Sequence, residues 1–142
     1  MQIEQTFTSE SPSHGVKFKH VMLIDDNPID NLVNQQLIQS GHFSEKVSVC
    51  DSPLKALEVL SGLDGSELPD LILLDIIMPE MDGFQFLEKF AELPEEILSV
   101  CKVVMLSTSD SFHHLNQANK NRFVKSFINK PLTPEKIGAL NI

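Results

Sequence analysis

Leu71-Ile72-Leu73-Leu74-Asp75-Ile76-Ile77-Met78-Pro79-Glu80-Met81-Asp82-Gly83 is the stretch that decides the fold. Leu71 to Leu74 are apolar at every position, whereas a strand with one wet face alternates. A short run of this kind, stopped by Asp75 and by the loop residues Pro79, Asp82 and Gly83, predicts a strand covered on both sides. The stripe Phe84, Leu87, Phe90 and Leu93 then predicts a helix ended by Pro94.

The same alternation extends in both directions. Upstream, His20 to Ile24 is an apolar run that stops at Asp25-Asp26, and Val47 to Cys50 is a shorter strand. Downstream, Lys102 to Leu106 ends in Ser107, and Val124 to Ile128 is followed by Lys130-Pro131. Asn27-Pro28, Ser52-Pro53 and Thr133-Pro134 each pair a capping side chain with proline at the first helical position. Ile29, Leu32, Val33 and Leu37 give the first helix an apolar stripe up to Gly41, and Leu54, Leu57 and Leu60 do so for the second. Asp110 to Arg122 is polar, with only Phe112, Leu115 and Ala118 as a thin stripe. Five strands alternating with five helices predict an α/β domain built on a doubly wound, five-stranded parallel sheet. In such sheets ligands sit beyond the carboxyl ends of the strands, where the strand order reverses.

Composition sets outer bounds. The chain of 142 residues is 42% apolar, enough for one packed domain, and no apolar run reaches membrane-spanning length. Eleven Lys and Arg against twenty Asp and Glu leave a net charge of −9. So acidic a surface argues against binding nucleic acid or anionic lipid, and suits a site that collects a cation. Residues 1–18 read as a polar N-terminal arm, poorly ordered, ahead of a domain spanning 19–142. The absence of an apolar segment after Met1 predicts no signal peptide and a cytoplasmic protein. Cys50 and Cys101 lie in apolar runs and read as buried thiols in a reducing compartment.

The strand ends carry the chemistry. Asp25, Asp26, Asp75, Ser107 and Lys130 are far apart in sequence, yet the fold converges them on one rim. Three carboxylates at close range repel unless a cation or proton sits among them, and Mg²⁺ needs only one or two direct carboxylates. A lysine opposite them can hold a phosphate oxygen, and a serine hydroxyl can donate to another. Such a rim suits phosphoryl transfer, with a carboxylate as nucleophile.

Asp25-Asp26, Leu73 to Gly83, Ser107 and Lys130-Pro131 together resemble the receiver domain of two-component response regulators, from about Lys19 to the C-terminus. The resemblance implies the flavodoxin-like (βα)5 fold with strand order 2-1-3-4-5. It implies that Asp75 is the phospho-acceptor, taking its phosphoryl group from a histidine kinase or histidine phosphotransfer protein. Asp25, Asp26, Asp75 and the backbone carbonyl of Ile77 become the Mg²⁺ ligands, Ser107 and Phe127 the switch pair, and Lys130 the phosphate-binding lysine. The Lys130-Pro131 bond is expected to be cis. The implied protein is a stand-alone receiver, monomer or weak dimer, signalling to a downstream protein or passing phosphate on in a relay. It binds neither nucleic acid nor membrane, and it is no enzyme beyond its own phosphoryl chemistry. The competing readings are a degenerate receiver that only binds partners and a Mg²⁺-dependent phosphohydrolase. Ser107 stands where threonine is commoner, and Phe127 lacks the hydroxyl of a tyrosine, so its switching would be steric.

Blander readings hold for other residues. Asp30 reads as a favourable charge in a helix's first turn, Asp82-Gly83 as a turn and helix start, and His113-His114 as a solvated face. Phe84, Phe86 and Phe90 read as core.

Overall fold

The computed structural model describes residues 16–108 and 112–142. Most of the expected arm and Asp110 lie outside the described residues. Five strands are present: β1 (Phe18–Ile24), β2 (Ser44–Cys50), β3 (Leu71–Asp75), β4 (Lys102–Ser107) and β5 (Val124–Asn129). Around them run α1 (Pro28–Ser40), α2 (Pro53–Gly62), α3 (Gly83–Phe90), α4 (Glu95–Val100), α5 (Phe112–Asn119) and α6 (Pro134–Gly138). All pairings are parallel and the order is β2-β1-β3-β4-β5, the flavodoxin-like arrangement. The order reverses between β1 and β3, which puts Asp25, Asp26 and Asp75 at the switch point.

Strand alternation divides the core in two. Met22, Ile24, Ile72, Leu74, Val103 and Met105 face one side, under Leu60 of α2, Phe86 and Phe90 of α3, Ile97 of α4 and Ala118 of α5. Val21, Leu23, Leu71, Leu73, Val104 and Leu106 face the other, under Ile38 of α1 and Ile137 of α6. Every residue of β3 is buried, as its unbroken apolar run requires. Phe86 packs on Phe90 at 5.8 Å between ring centroids, and Phe90 meets Phe123 edge-on at 5.3 Å. Burying rings of this size is worth about 2–3 kcal/mol each.

The three proline starts form as read. Asn27 accepts from the N–H of Ile29 and Asp30, Ser52 from that of Lys55, and Thr133 from that of Lys136. Leu54, expected in the apolar stripe of α2, is exposed, and Ala56 takes the inner face with Leu60. Two larger expectations need correction. In α1 the buried side is Asn31, Asn34 and Ile38, while Ile29, Leu32 and Val33 are exposed. The cause is helix phase: the Asn27 cap and the bond from Asn31 Nδ2 to the Asp25 carbonyl (2.8 Å) turn the polar stripe inward. The second concerns Pro94, which does not end the stripe from Phe84. Helix α3 stops at Phe90, and Pro94 opens a further helix, α4, whose first turn carries Glu95 and Glu96.

Candidate functional site

Asp25 and Asp75 are placed by backbone. The Asp25 N–H donates to the Cys50 carbonyl, and its carboxylate accepts from the Asn27 N–H at 3.0 Å. Asp75 closes β3 in register with Leu106, and the next N–H, of Ile76, donates to the Leu106 carbonyl. One carboxylate oxygen from each of Asp25, Asp26 and Asp75 lies within 4.8 Å of the others. Asp25 and Asp75 are buried, whereas Asp26 is open to solvent.

Lys130 is held from both sides. Its N–H donates to the Ser107 carbonyl at 2.8 Å, its bond to Pro131 is cis, and Lys136 Nζ donates to the carbonyls of Asn129 and Pro131. The Lys130 ammonium reaches Asp25 at 3.0 Å, Asp30 at 3.1 Å and Asp75 at 3.2 Å. Burial pushes the Asp75 carboxyl up to about 6, the nearby Asp25 charge adds to this, and Lys130 opposes it. Burial alone would lower the Lys130 ammonium, but its contacts with Asp25, Asp75 and Asp30 outweigh that and hold it above its ordinary value. Three carboxylates thus meet one ammonium, Asp26 adds a fourth beside Asp25 and Asp75, and the excess negative charge on hard oxygen donors fits a small divalent cation such as Mg²⁺.

Ser107 ends β4, fully buried, in register with Asn129 beside the lysine. Ile77 lies two residues past Asp75 with its side chain exposed. Phe127 is half-buried on β5, opposite Met105, where it lines a groove of about 450 Å³ with Lys136 and Ile142. His113 is exposed, and the His114 ring lies 6.0 Å from that of Phe84. Cys50 and Cys101 are buried free thiols, and burial pushes the Cys101 thiol up to about 12.

Three residues near the site escaped the sequence reading. Asp30 is more than a helix-start charge, because it bonds Lys130. Asn31 anchors the Asp25 backbone. Gly83 passes directly under Asp75: a Cβ there would sit 2.8 Å from the Asp75 carbonyl oxygen and 2.9 Å from Met105 Cε. Its own N–H donates to the Ile76 carbonyl at 2.8 Å, so glycine is needed here for close approach. Asp82 and Gln85 complete a capping box beside it.

Fold and rim together define a doubly wound domain with an acid-and-lysine site at its switch point. The chain belongs to the response regulator receiver domain family, whose family model matches residues 21–140. It is 33% identical over 121 residues to the two-component response regulator ORR3 of Oryza sativa subsp. indica, covering 85% of this chain and 86% of that protein. A two-component response regulator from Cytophaga hutchinsonii superposes with a TM-score of 0.80 at 28% identity, over 86% of this chain and 92% of that one. A response regulator receiver protein from Dyadobacter fermentans gives a TM-score of 0.74 at 26% identity, over 80% and 88%. The domain is therefore a signalling module of the two-component type. Among the described residues, no helix is long and apolar enough to cross a membrane.

Proposed function

We propose that this chain receives a phosphoryl group on Asp75 from a phosphohistidine of a histidine kinase or histidine phosphotransfer protein. A carboxylate oxygen of Asp75 forms the new bond to phosphorus. The phosphorus–nitrogen bond of the donor breaks, and the departing imidazole keeps the electron pair and takes up a proton. The observation that carries this reading is the convergence of Asp75, Asp25 and Lys130 at the carboxyl edge of the central strands, with Lys130 Nζ 3.2 Å from Asp75. Asp25, Asp26, Asp75 and the Ile77 carbonyl would hold Mg²⁺, which supplies charge neutralisation for the phosphoryl oxygens. Lys130 gives a hydrogen bond to one of those oxygens, and the Ser107 hydroxyl is drawn toward another. Motion of Ser107 frees space for Phe127, so output is a population shift at the β4–β5 edge, read by a downstream protein or followed by onward phosphotransfer. The exposed Ile29, Leu32 and Val33 of α1 lie beside Asp26 and Asp30 and supply an apolar contact for the donor protein. The receiver comprises residues 19–142 and acts in the cytoplasm as a monomer or weak dimer.

Incubation with Mg²⁺ and acetyl phosphate, followed by intact mass measurement, tests this. The wild type should gain one phosphoryl group and Asp75→Asn none. Unchanged phosphorylation of Asp75→Asn would assign the acceptor elsewhere.

A further inference from the structure

We propose that Asp30 is a positioning residue for Lys130, a tether that keeps the lysine in place when the rest of the site is occupied. The proposal rests on the phosphoryl-acceptor reading above. An ammonium has three protons, and Lys130 Nζ has three carboxylate partners, at 3.0, 3.1 and 3.2 Å. Two of those partners, Asp25 and Asp75, belong to the cluster able to hold a cation, and Asp75 is also the proposed acceptor. A cation on Asp25 and a phosphoryl group on Asp75 both draw those oxygens away from Lys130. Asp30 is the partner that stays outside the cluster.

The geometry follows from α1. The Asn27 cap fixes the first turn by accepting from the Asp30 N–H at 3.1 Å, which sets the direction from which the Asp30 carboxylate reaches the lysine. With one Nζ–H bonded to Asp30, a second points toward the mouth of the site, where a phosphoryl oxygen replaces the carboxylate oxygen of Asp75. The lysine side chain is only 13% exposed, so little room remains for it to search for that orientation unaided. Asp30 itself is 42% exposed at its side chain. Its charge is therefore partly screened by water, which makes its effect modest and lets it be replaced without disturbing the core.

The Lys130 ammonium reads the tether directly. Ammonium protons bonded to carboxylates exchange slowly with water and give a resolved ¹⁵N-correlated resonance, whereas a free surface lysine exchanges it away. In Mg²⁺-saturated wild type the Lys130 resonance should be present; Lys130→Arg assigns it. It should vanish in Asp30→Ala and Asp30→Asn, the latter keeping the shape of the helix start, and return in Asp30→Glu. Phosphorylation by acetyl phosphate should slow about 3- to 10-fold in Asp30→Ala and recover in Asp30→Glu. Absence of the resonance from Mg²⁺-saturated wild type, or its survival in Asp30→Ala at the wild-type exchange rate, overturns the tether. A wild type that takes no phosphoryl group refutes the acceptor reading instead, and the ammonium resonance still decides the role of Asp30.

Discussion

The two ends of the sheet bury ionisable groups in opposite ways. At the amino end His20 is buried, its ring bonded to the Glu67 carbonyl through Nδ1 at 2.9 Å and to the Ser48 hydroxyl through Nε2 at 2.7 Å. Asp70 sits beside it, with both carboxylate oxygens accepting backbone N–H groups, from Lys19 at 3.0 Å and His20 at 3.1 Å. Among the described residues no second carboxylate bonds there, and the His20 and Asp70 side chains answer to backbone or a hydroxyl. At the carboxyl end Asp25 and Asp75 are as well buried, yet they face each other and share one lysine. The amino end uses polar groups to fix strand register. The carboxyl end keeps negative charge in excess, and that excess is what gives a cation something to stabilise.

The largest expected effect is at the amino end. Asp70→Ala leaves the N–H groups of Lys19 and His20 without their carboxylate, at a loss of roughly 3 kcal/mol. Chemical denaturation should show this, while phosphorylation by acetyl phosphate continues at the wild-type rate. A large loss of phosphorylation in the folded variant would break the comparison, because the ends would then be coupled.

Protonation sharpens it. Burial raises the Asp75 carboxyl from its ordinary 3.8 to about 6, so the folded protein binds a proton more readily than the unfolded chain. The stabilisation from that proton is present below about 4 and lost as pH rises through about 6. His20 works the other way: burial lowers its ring, so the unfolded chain binds the proton more readily and stability rises with pH. Without Mg²⁺, Asp75→Asn should gain roughly 2 kcal/mol at pH 7 and nothing near pH 4. The remaining slope should be the rise due to His20. Thermal melts across pH 4–8 in a metal chelator check this, and an equal shift of Asp75→Asn at both ends of the range would refute it.

Gly83→Ala is intermediate. The added Cβ would collide with the Asp75 carbonyl oxygen at 2.8 Å and lie 3.1 Å from Ile76 Cα, so backbone must move. A cost of roughly 1–2 kcal/mol is expected, with slower phosphorylation because the shift falls on the strand of the proposed acceptor. Denaturation and phosphorylation rates measured side by side should both change; a loss of stability alone would mean that the strain relaxes into α3.

How far sequence alone determines the buried face differs between α3 and α1. In α3 the apolar residues Phe84, Leu87 and Phe90 are buried as their spacing requires, because nothing polar competes for the inner face. In α1 the spacing of Ile29, Leu32 and Val33 is just as helical and points outward. Periodicity tells that a stripe exists; it does not tell which stripe faces the sheet when a polar one has an acceptor inside, here the Asp25 carbonyl for Asn31. The same limit applies at the site. Asp75 and Lys130 stand at strand ends, where the fold rule alone makes them converge. Asp30 reaches the lysine across 100 residues of sequence, and its contact depends on the phase of α1, which apolar periodicity does not set.

That outward stripe gives the smallest effect on stability and the most selective effect on function. Leu32 is 55% exposed, so Leu32→Gln removes little buried surface and should change stability by no more than ~0.5 kcal/mol. Acetyl phosphate needs no docking surface and should phosphorylate the variant at the wild-type rate. On the proposed reading a histidine phosphotransfer protein holds its phosphohistidine over Asp75 while covering the rim, and α1 begins two residues after Asp26 at that rim. Removing one apolar contact of a few on such a face should slow transfer from the protein donor about tenfold. The ratio of the two rates, small donor to protein donor, is therefore the measurement. A ratio unchanged from wild type would place the donor elsewhere and return Ile29, Leu32 and Val33 to the status of ordinary exposed residues, leaving the carboxyl end of the sheet set apart by its charge alone.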